Sequence, residues 1–314
     1  MGDRTAARGT AGRTLEIGFF FPHAEREMAG ASPGWSDVLR MAKTAEAMGL
    51  DSFWLPDHFL FRPEGEEPQG QWECWTLLSA VAASTSRIRI GPFVSCTGFR
   101  NPALLARMAD TVDEISGGRL ILGLGAGWNE AEYHAYGYPF DHRVDRFEEA
   151  VQIIHGLLHD GHVDFEGRFH SARECELRPR GPRPGGLPIM VGTNGDRMLR
   201  LAARYADGWN AFFWWTGNRA DGVPALRNRI DEACREVGRD PSTMERTVCV
   251  LVELPGAVGT TFREAPLRGT PEEIAAGLSA YAEEGIRHVQ LRIDPNTVEG
   301  LEALGPVLDI LDRG

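Results

Sequence analysis

The sequence predicts an α/β protein, a (β/α)8 TIM barrel with a short insertion between the fourth helix and the fifth strand. Three observations carry that prediction. Strand-like apolar runs alternate with helix-like segments from one end of the chain to the other, the pattern of βα units around a parallel sheet. Eight such units can be counted, with no long linker or composition break between them. The chain has 314 residues, long enough for one large barrel.

The first strand is "LEIGFFF" (15–21), followed by the helix "WSDVLRMAKTAEAMG" with Ser36 as its N-cap and Gly49 as its stop. "DSFWLPDH" (51–58) is the second strand; a polar Pro/Gly/Glu loop and the helix "WTLLSAVAAST" follow. "RIRIGPFVSC" (87–96) is the third, with "NPALLARMADTVDEIS" as its helix and Pro102 at a first helical position. "RLILGLG" (119–125) is the fourth, before a helix around 143–158. "LPIMVG" (187–192), "GWNAFFW" (208–214), "ERTVCVLVEL" (245–254) and "RHVQLRI" (287–293) are the remaining strands, each leading into a helical pattern. Residues 161–186 break the alternation and read as a short β-hairpin with a Pro/Gly/Arg-rich loop, a solvated insertion on the barrel's bottom or side. Residues 1–14 read as a disordered tail and 15–314 as a single barrel domain.

Composition excludes several function classes. Thirty-three basic residues against forty-five acidic ones give a net charge of -12, which argues against nucleic acid or an anionic membrane as partner. Lys43 is the sole lysine and lies in an exposed-looking helical stretch, so Schiff-base chemistry is not expected. The five cysteines are scattered, without a CxxC pair, as in reduced thiols of the cytosol. No apolar run approaches the roughly 18 residues of a membrane span. The first residues lack the apolar core of a signal peptide. A cytoplasmic location is expected.

In a barrel, functional groups come from the C-terminal ends of the strands and the loops after them. Those ends supply Phe20 and His23, Asp57 and His58, Ser95, Cys96 and Thr97, then Ala126, Gly127, Trp128 and Asn129. Gly192, Thr193, Asn194 and Gly195 follow the fifth strand, and an aromatic cluster that includes Trp214 follows the sixth. An aromatic, apolar mouth with a few polar groups suits a flat conjugated cofactor and a small-molecule substrate. Phe20, His23, Trp72 and Trp214 are candidates to shape the substrate pocket.

The stretch "SGGRLILGLGAGWN" (116–129) invites a dinucleotide-binding reading, which needs G-x-G-x-x-G. Counting from Gly123 puts Trp128 at the closing glycine, and counting from Gly125 puts Glu130 there. Both fail, because the closing glycine lets helix and strand pack closely. The doubly wound alternative loses its main support. "VGTNG" (191–195), directly before a helix, is a better phosphate cradle: free N–H groups at a helix N-terminus attract an anion. No metal site is expected, since the strand ends lack the several histidines and carboxylates one needs. Cys96 reads as a small wall residue.

These residues resemble a known family. "SGGRLILGLGAGWNEAEYHAYGYPF", "DSFWLPDHF", "RIRIGPFVSCTGFRNPALLARMADTVDEISGGR", "RVDRFEEAVQII" and "LPIMVGTNGDRMLRLAARYADGWN" together resemble the bacterial luciferase-like superfamily. The similarity runs over about residues 15 to 293 and is greatest to actinobacterial deazaflavin (coenzyme F-420)-dependent oxidoreductases. It implies a frequently dimeric barrel that holds coenzyme F-420, an 8-hydroxy-5-deazaflavin, or alternatively FMN. By that resemblance the ring lies against a bulge at Ser95 and Cys96, with Thr97 beside it, where members often carry a cis non-prolyl peptide. Asp57 and His58 match the second-strand pair, whose histidine often faces the ring. Ala126, Gly127 and Trp128, with Asn129, match the loop lining the cofactor, and Gly192 to Gly195 match the phosphate turn. The carboxylate that sugar-phosphate dehydrogenases of the family carry in the fourth-strand loop is missing here.

Three functions follow in order. The first is hydride transfer between the deazaflavin and a small organic substrate, with His58 as acid/base partner and Asp57 beside it. The second is an FMN-dependent monooxygenase using reduced flavin and oxygen. The third is a non-catalytic flavin-binding protein.

Overall fold

The computed structural model describes residues 13–183, 185–259 and 262–313. Eight strands form the barrel: β1 (Glu16–Phe20), β2 (Ser52–Leu55), β3 (Arg89–Pro92), β4 (Leu122–Gly125), β5 (Ile189–Gly192), β6 (Gly208–Ala211), β7 (Glu245–Glu253) and β8 (His288–Asp294). They pair in parallel in the order β3-β2-β1-β8-β7-β6-β5-β4. The two edges meet through the third strand's continuation. Ser95 and Cys96 pair with Leu124 and Gly125 of β4, while Ile90 of β3 bridges Leu120 just before it. The sheet is an α/β barrel, as the sequence predicts.

The longer helices are α1 (Trp35–Ala47), α2 (Cys74–Ser84), α3 (Pro102–Ser116), α4 (Glu130–Tyr136), α5 (Arg143–His155), α6 (Asp196–Tyr205), α7 (Val223–Glu236) and α8 (Pro271–Glu283), with short ones at Phe213–Thr216, Val298–Glu302 and Gly305–Leu311. Among the described residues no helix is long and apolar enough to cross a membrane. Pro102 opens α3 as expected, and Asn101 caps it by accepting from Ala103 N and Leu104 N. The hairpin of the insertion forms between His162–Glu166 and Ser171–Glu176. Its turn is held on α5, where the Glu149 carboxylate accepts from the N–H groups of Arg168, Phe169 and His170. The loop after it reaches back to α3, Arg107 donating to Glu176 O and Pro179 O.

Three sequence expectations are corrected. Helix α1 is capped by Gly34, not Ser36, because Asp37 accepts from Gly34 N at 2.9 Å and takes the capping role itself. The third strand is not one run over 87–96: Arg89–Pro92 pairs with β2 and Ser95–Cys96 with β4, and the Phe93–Val94 peptide between them is cis. That cis bond lies just before the Ser95–Cys96 position the resemblance implies. The sixth strand stops at Ala211 and not at Trp214. The aromatic run after it turns into a short helix, its backbone donors going to local acceptors, Trp215 N to Phe212 O and Asn218 N to Phe213 O. Most of the expected tail, residues 1–12, lies outside the described residues, and Arg13 at its end is fixed by Gly49 O at 3.0 Å and Asp51 at 2.8 Å.

The barrel interior shows why several strands carry glycine. Trp54 of β2 is fully buried inside it. A Cβ at Gly18 or Gly91 would fall within 3 Å of the Trp54 ring system, so the neighbouring strands stay bare to admit it. Burying a side chain of this size contributes on the order of 2–3 kcal/mol. One layer is polar instead: Asn210 Nδ2 donates to Thr247 Oγ1 at 2.8 Å and to Gln290 Oε1 at 2.9 Å.

Candidate active site

The C-terminal mouth is built from the loops after the strands. After β2 the chain turns outward, and its first two polar residues have different surroundings. Asp57 is buried, and its carboxylate accepts from Ser95 Oγ at 2.9 Å, Cys96 N at 3.0 Å and both terminal nitrogens of Arg100 at 2.6 and 3.0 Å. Arg100 also holds Glu73, the N-cap of α2. Asp57 therefore binds the second-strand loop to the broken third strand. Fork-to-carboxylate pairing of this kind is both strong and geometrically specific.

His58 points the other way. Its Nδ1 lies 2.7 Å from Oε1 of Glu132 on α4, whose other oxygen accepts from Phe59 N at 2.9 Å. Glu132 is 1% exposed while the His58 side chain keeps 19% of its surface open. The carboxylate can only accept, so Nδ1 carries the hydrogen, and Nε2 makes no hydrogen bond among the described residues. The imidazole sits between Phe61 and Trp128, with ring centroids at 4.8 and 5.5 Å. Trp128 is itself 61% exposed, an aromatic face presented to the opening. Asn129 fastens this wall by donating from Nδ2 to Leu60 O.

Cys96 is sealed behind it. Tyr133 spends its hydroxyl proton on Ala126 O at 3.0 Å, so the Cys96 thiol donates to Tyr133 Oη at 2.8 Å. Burial pushes that thiol up to about 12. Gly127 has a φ of 76°, and a Cβ there would lie 2.2 Å from the Tyr133 hydroxyl. Thr97 is buried and donates to Gly125 O at 3.3 Å.

The glycines of "GLGAG" have a specific neighbour. Cβ atoms at Gly123 and Gly125 would meet Val94 at 3.0 and 2.7 Å, and one at Gly192 would meet it at 3.4 Å. Val94, directly after the cis peptide, thus lies between the β4 and β5 motifs. Gly123 and Gly125 make room for that side chain and for Pro92 O rather than for a ligand.

Beyond β5, Gly195 caps α6 with no side-chain hydrogen bond and with open space where a Cβ would be. Thr193 is buried, its carbonyl accepting from Trp209 Nε1 at 2.7 Å, and Asn194 O accepts from Arg229. Arg229 also pairs with Asp196 in the first turn of α6, drawing that carboxylate toward itself. The residues of the expected phosphate turn are together at one helix N-terminus.

The pocket candidates separate into two groups. Phe20 packs on Phe93 at 5.0 Å, Phe93 on Phe212 at 5.9 Å and Phe212 on Trp214 at 4.1 Å, giving an aromatic row. His23 and Trp72 belong to the rim instead. His23 is buried, its Nε2 lies 2.9 Å from Trp72 O, and burial holds its ring below the ordinary histidine range. The Trp72 indole is exposed and donates to Pro33 O. Sequence reasoning missed Glu132, Arg100, Tyr133 and Val94. Of these only Arg100 had a sequence signal, as the first cation after the third strand.

A family model described as luciferase-like monooxygenase matches residues 15–254. An uncharacterised protein of Mycobacterium tuberculosis is 31% identical over 226 residues, covering 67% of this chain and 76% of its own. The pyrimidine monooxygenase of Escherichia coli O7:K1 is 30% identical over 255 residues, covering 80% of this chain and 71% of its own. Among solved structures, an F420-dependent secondary alcohol dehydrogenase in complex with an F420-acetone adduct superposes with a TM-score of 0.80 at 22% identity. That match covers 95% of this chain and 99% of the other.

Proposed function

The chain belongs to the luciferase-like monooxygenase family, and from that premise we propose that it transfers hydride between a deazaflavin coenzyme and a small organic substrate, with His58 moving the accompanying proton. The observation that carries this reading is the His58–Glu132 pair at the mouth. When bound, the coenzyme supplies a ring carbon that takes or gives hydride. The chain supplies what hydride chemistry on an alcohol or carbonyl needs besides that: a fixed proton acceptor.

The residues present fit such a group. The N-terminus of α6 and the open space beside Gly195, whose own N–H donates to Thr193 Oγ1 at 3.3 Å, suit a phosphate. The exposed Trp128 face and the Phe20–Phe93–Phe212–Trp214 row suit a flat ring and an apolar substrate. Ser95 and Cys96 end the wall beside them, with Thr97, Ala126, Gly127 and Asn129 keeping the two loops in register. We assign Asp57 a positioning role, because its carboxylate is taken up by Arg100, Ser95 and Cys96 N. His58 is the acid/base: Glu132 fixes its Nδ1–H, and Nε2 receives the hydroxyl proton as hydride leaves the same carbon. In the reverse direction Nε2 returns it.

A second reading, an FMN-dependent monooxygenase, is supported by the 30% identity to a pyrimidine monooxygenase. Anaerobic mixing of the deazaflavin-loaded protein with a panel of small alcohols distinguishes the two. Bleaching of the coenzyme's visible absorbance is the expected result. No bleaching with any alcohol, together with oxygen uptake in the presence of reduced FMN, favours the second reading. The substrate is a small molecule in either case, and we propose a homodimer in the cytoplasm as the working state.

A further inference from the structure

The end of the barrel remote from His58 contains an unassigned site. A cavity of about 230 Å³ opens there, lined by the first residues of several strands, among them Arg89, Glu245 and His288. Glu16, Glu245 and His288 begin β1, β7 and β8, three adjacent strands, and each offers a ligand atom within 4.8 Å of the others.

Two further observations point to a ligand. His288 is 1% exposed and lines the cavity. Its Nε2 is 2.7 Å from Ser52 Oγ, and that oxygen is fixed by a 2.6 Å bond from Trp54 Nε1. Its Nδ1 makes no hydrogen bond among the described residues; the nearest carboxylate oxygen, on Glu16, is 3.7 Å away. A histidine with one nitrogen held by a fixed oxygen and the other open toward carboxylates has the arrangement of a metal ligand with its supporting partner. Ser52 Oγ can accept from both Trp54 and an Nε2–H, which leaves Nδ1 as the ligand atom. The Glu245 carboxylate, half-buried at the cavity wall, accepts no hydrogen bond from the described residues. Arg89 holds Glu16 Oε2 at 2.6 Å, the same oxygen that lies 3.7 Å from His288 Nδ1, and Oε1 accepts no hydrogen bond from the described residues.

We propose that Glu16, Glu245 and His288 bind one divalent transition metal, zinc or a close relative, which fastens β1, β7 and β8 together at the barrel's N-terminal end. One imidazole nitrogen and two carboxylate oxygens make a three-ligand set of the kind zinc accepts, with a water completing the tetrahedron. All three residues begin their strands, at the end of the barrel opposite the mouth.

The test is calorimetric titration of the chelator-treated protein with zinc chloride, paired with melting curves. One equivalent binds to the wild type and raises the melting temperature, since the metal binds the folded state. Glu245→Gln, at the cavity rim, weakens binding by about tenfold or more and abolishes the melting shift. Glu16→Gln does the same, while Glu253→Gln at the far end of β7 changes neither. Folding of each variant is checked by far-ultraviolet circular dichroism. The absence of stoichiometric zinc binding in the wild type overturns the proposal. So does binding that survives in both Glu245→Gln and Glu16→Gln, which places the metal on other histidines.

Discussion

Oε1 of Glu132 lies 2.7 Å from Nδ1 of His58, joining residues 74 positions apart into one oriented pair. The carboxylate is nearly sealed from solvent and the imidazole is not, so the pair presents a single ring nitrogen to the mouth. Replacing the acceptor tests that orientation. Glu132→Gln can offer Nδ1 a carbonyl oxygen or an amide N–H, and the second choice reverses the tautomer. Turnover is expected to fall by roughly 10²-fold or more, with His58→Ala losing about 10²–10⁴-fold, the usual range for a positioned acid/base. Coenzyme affinity, measured by fluorescence titration, should change only a few-fold in both variants. Unchanged turnover in His58→Ala removes its assigned role.

Arg100 supports the same wall from beneath. Arg100→Met leaves the buried Asp57 carboxylate without its cation, and breaking such a pair costs about 3–5 kcal/mol. The double variant Asp57→Asn/Arg100→Met should recover part of that loss. Urea unfolding of the wild type, Arg100→Met, Asp57→Asn and the double variant checks both statements. Equal stability of the single and double variants contradicts the pairing account.

Much of this architecture is legible in the sequence, for identifiable reasons. The strands show as short apolar runs, and α3 is announced by Pro102 at its first position. His58 could be nominated because strand ends in a barrel point at the mouth. Glu132 could not be, since nothing local links the sequence "NEAEYHAYG" to residue 58. The break at Phe93–Val94 was equally hidden: a continuous apolar run looks the same whether it pairs on one side or switches neighbours. For the same reason the Gly123 and Gly125 pattern gave no sign that its neighbour is Val94.

Gly127 offers a stability test at that loop. Gly127→Ala places a Cβ at positive φ and 2.2 Å from the Tyr133 hydroxyl. The backbone cost alone is about 1–2 kcal/mol, and displacing Tyr133 also breaks its bonds to Ala126 and Cys96. A drop in the urea midpoint with unchanged slope is expected. A stability equal to wild type contradicts the packing described.

The thiols provide a chemical check. Cys96, pushed up to about 12 by burial, carries far less thiolate at pH 8 than a free cysteine, on the order of a thousandfold less. Half-exposed Cys175 should be alkylated by iodoacetamide first, and buried Cys96 should stay unmodified in the native protein. Peptide mass spectrometry after timed quenching reads this directly. Early labelling of Cys96 contradicts the sealed Tyr133 contact.

The most direct test of the central claim is a side-by-side fluorescence titration of the purified protein with the 8-hydroxy-5-deazaflavin coenzyme and with FMN. The account predicts saturable quenching of the deazaflavin at about one equivalent per chain and markedly weaker binding of FMN. Tight FMN binding with no response to the deazaflavin contradicts it.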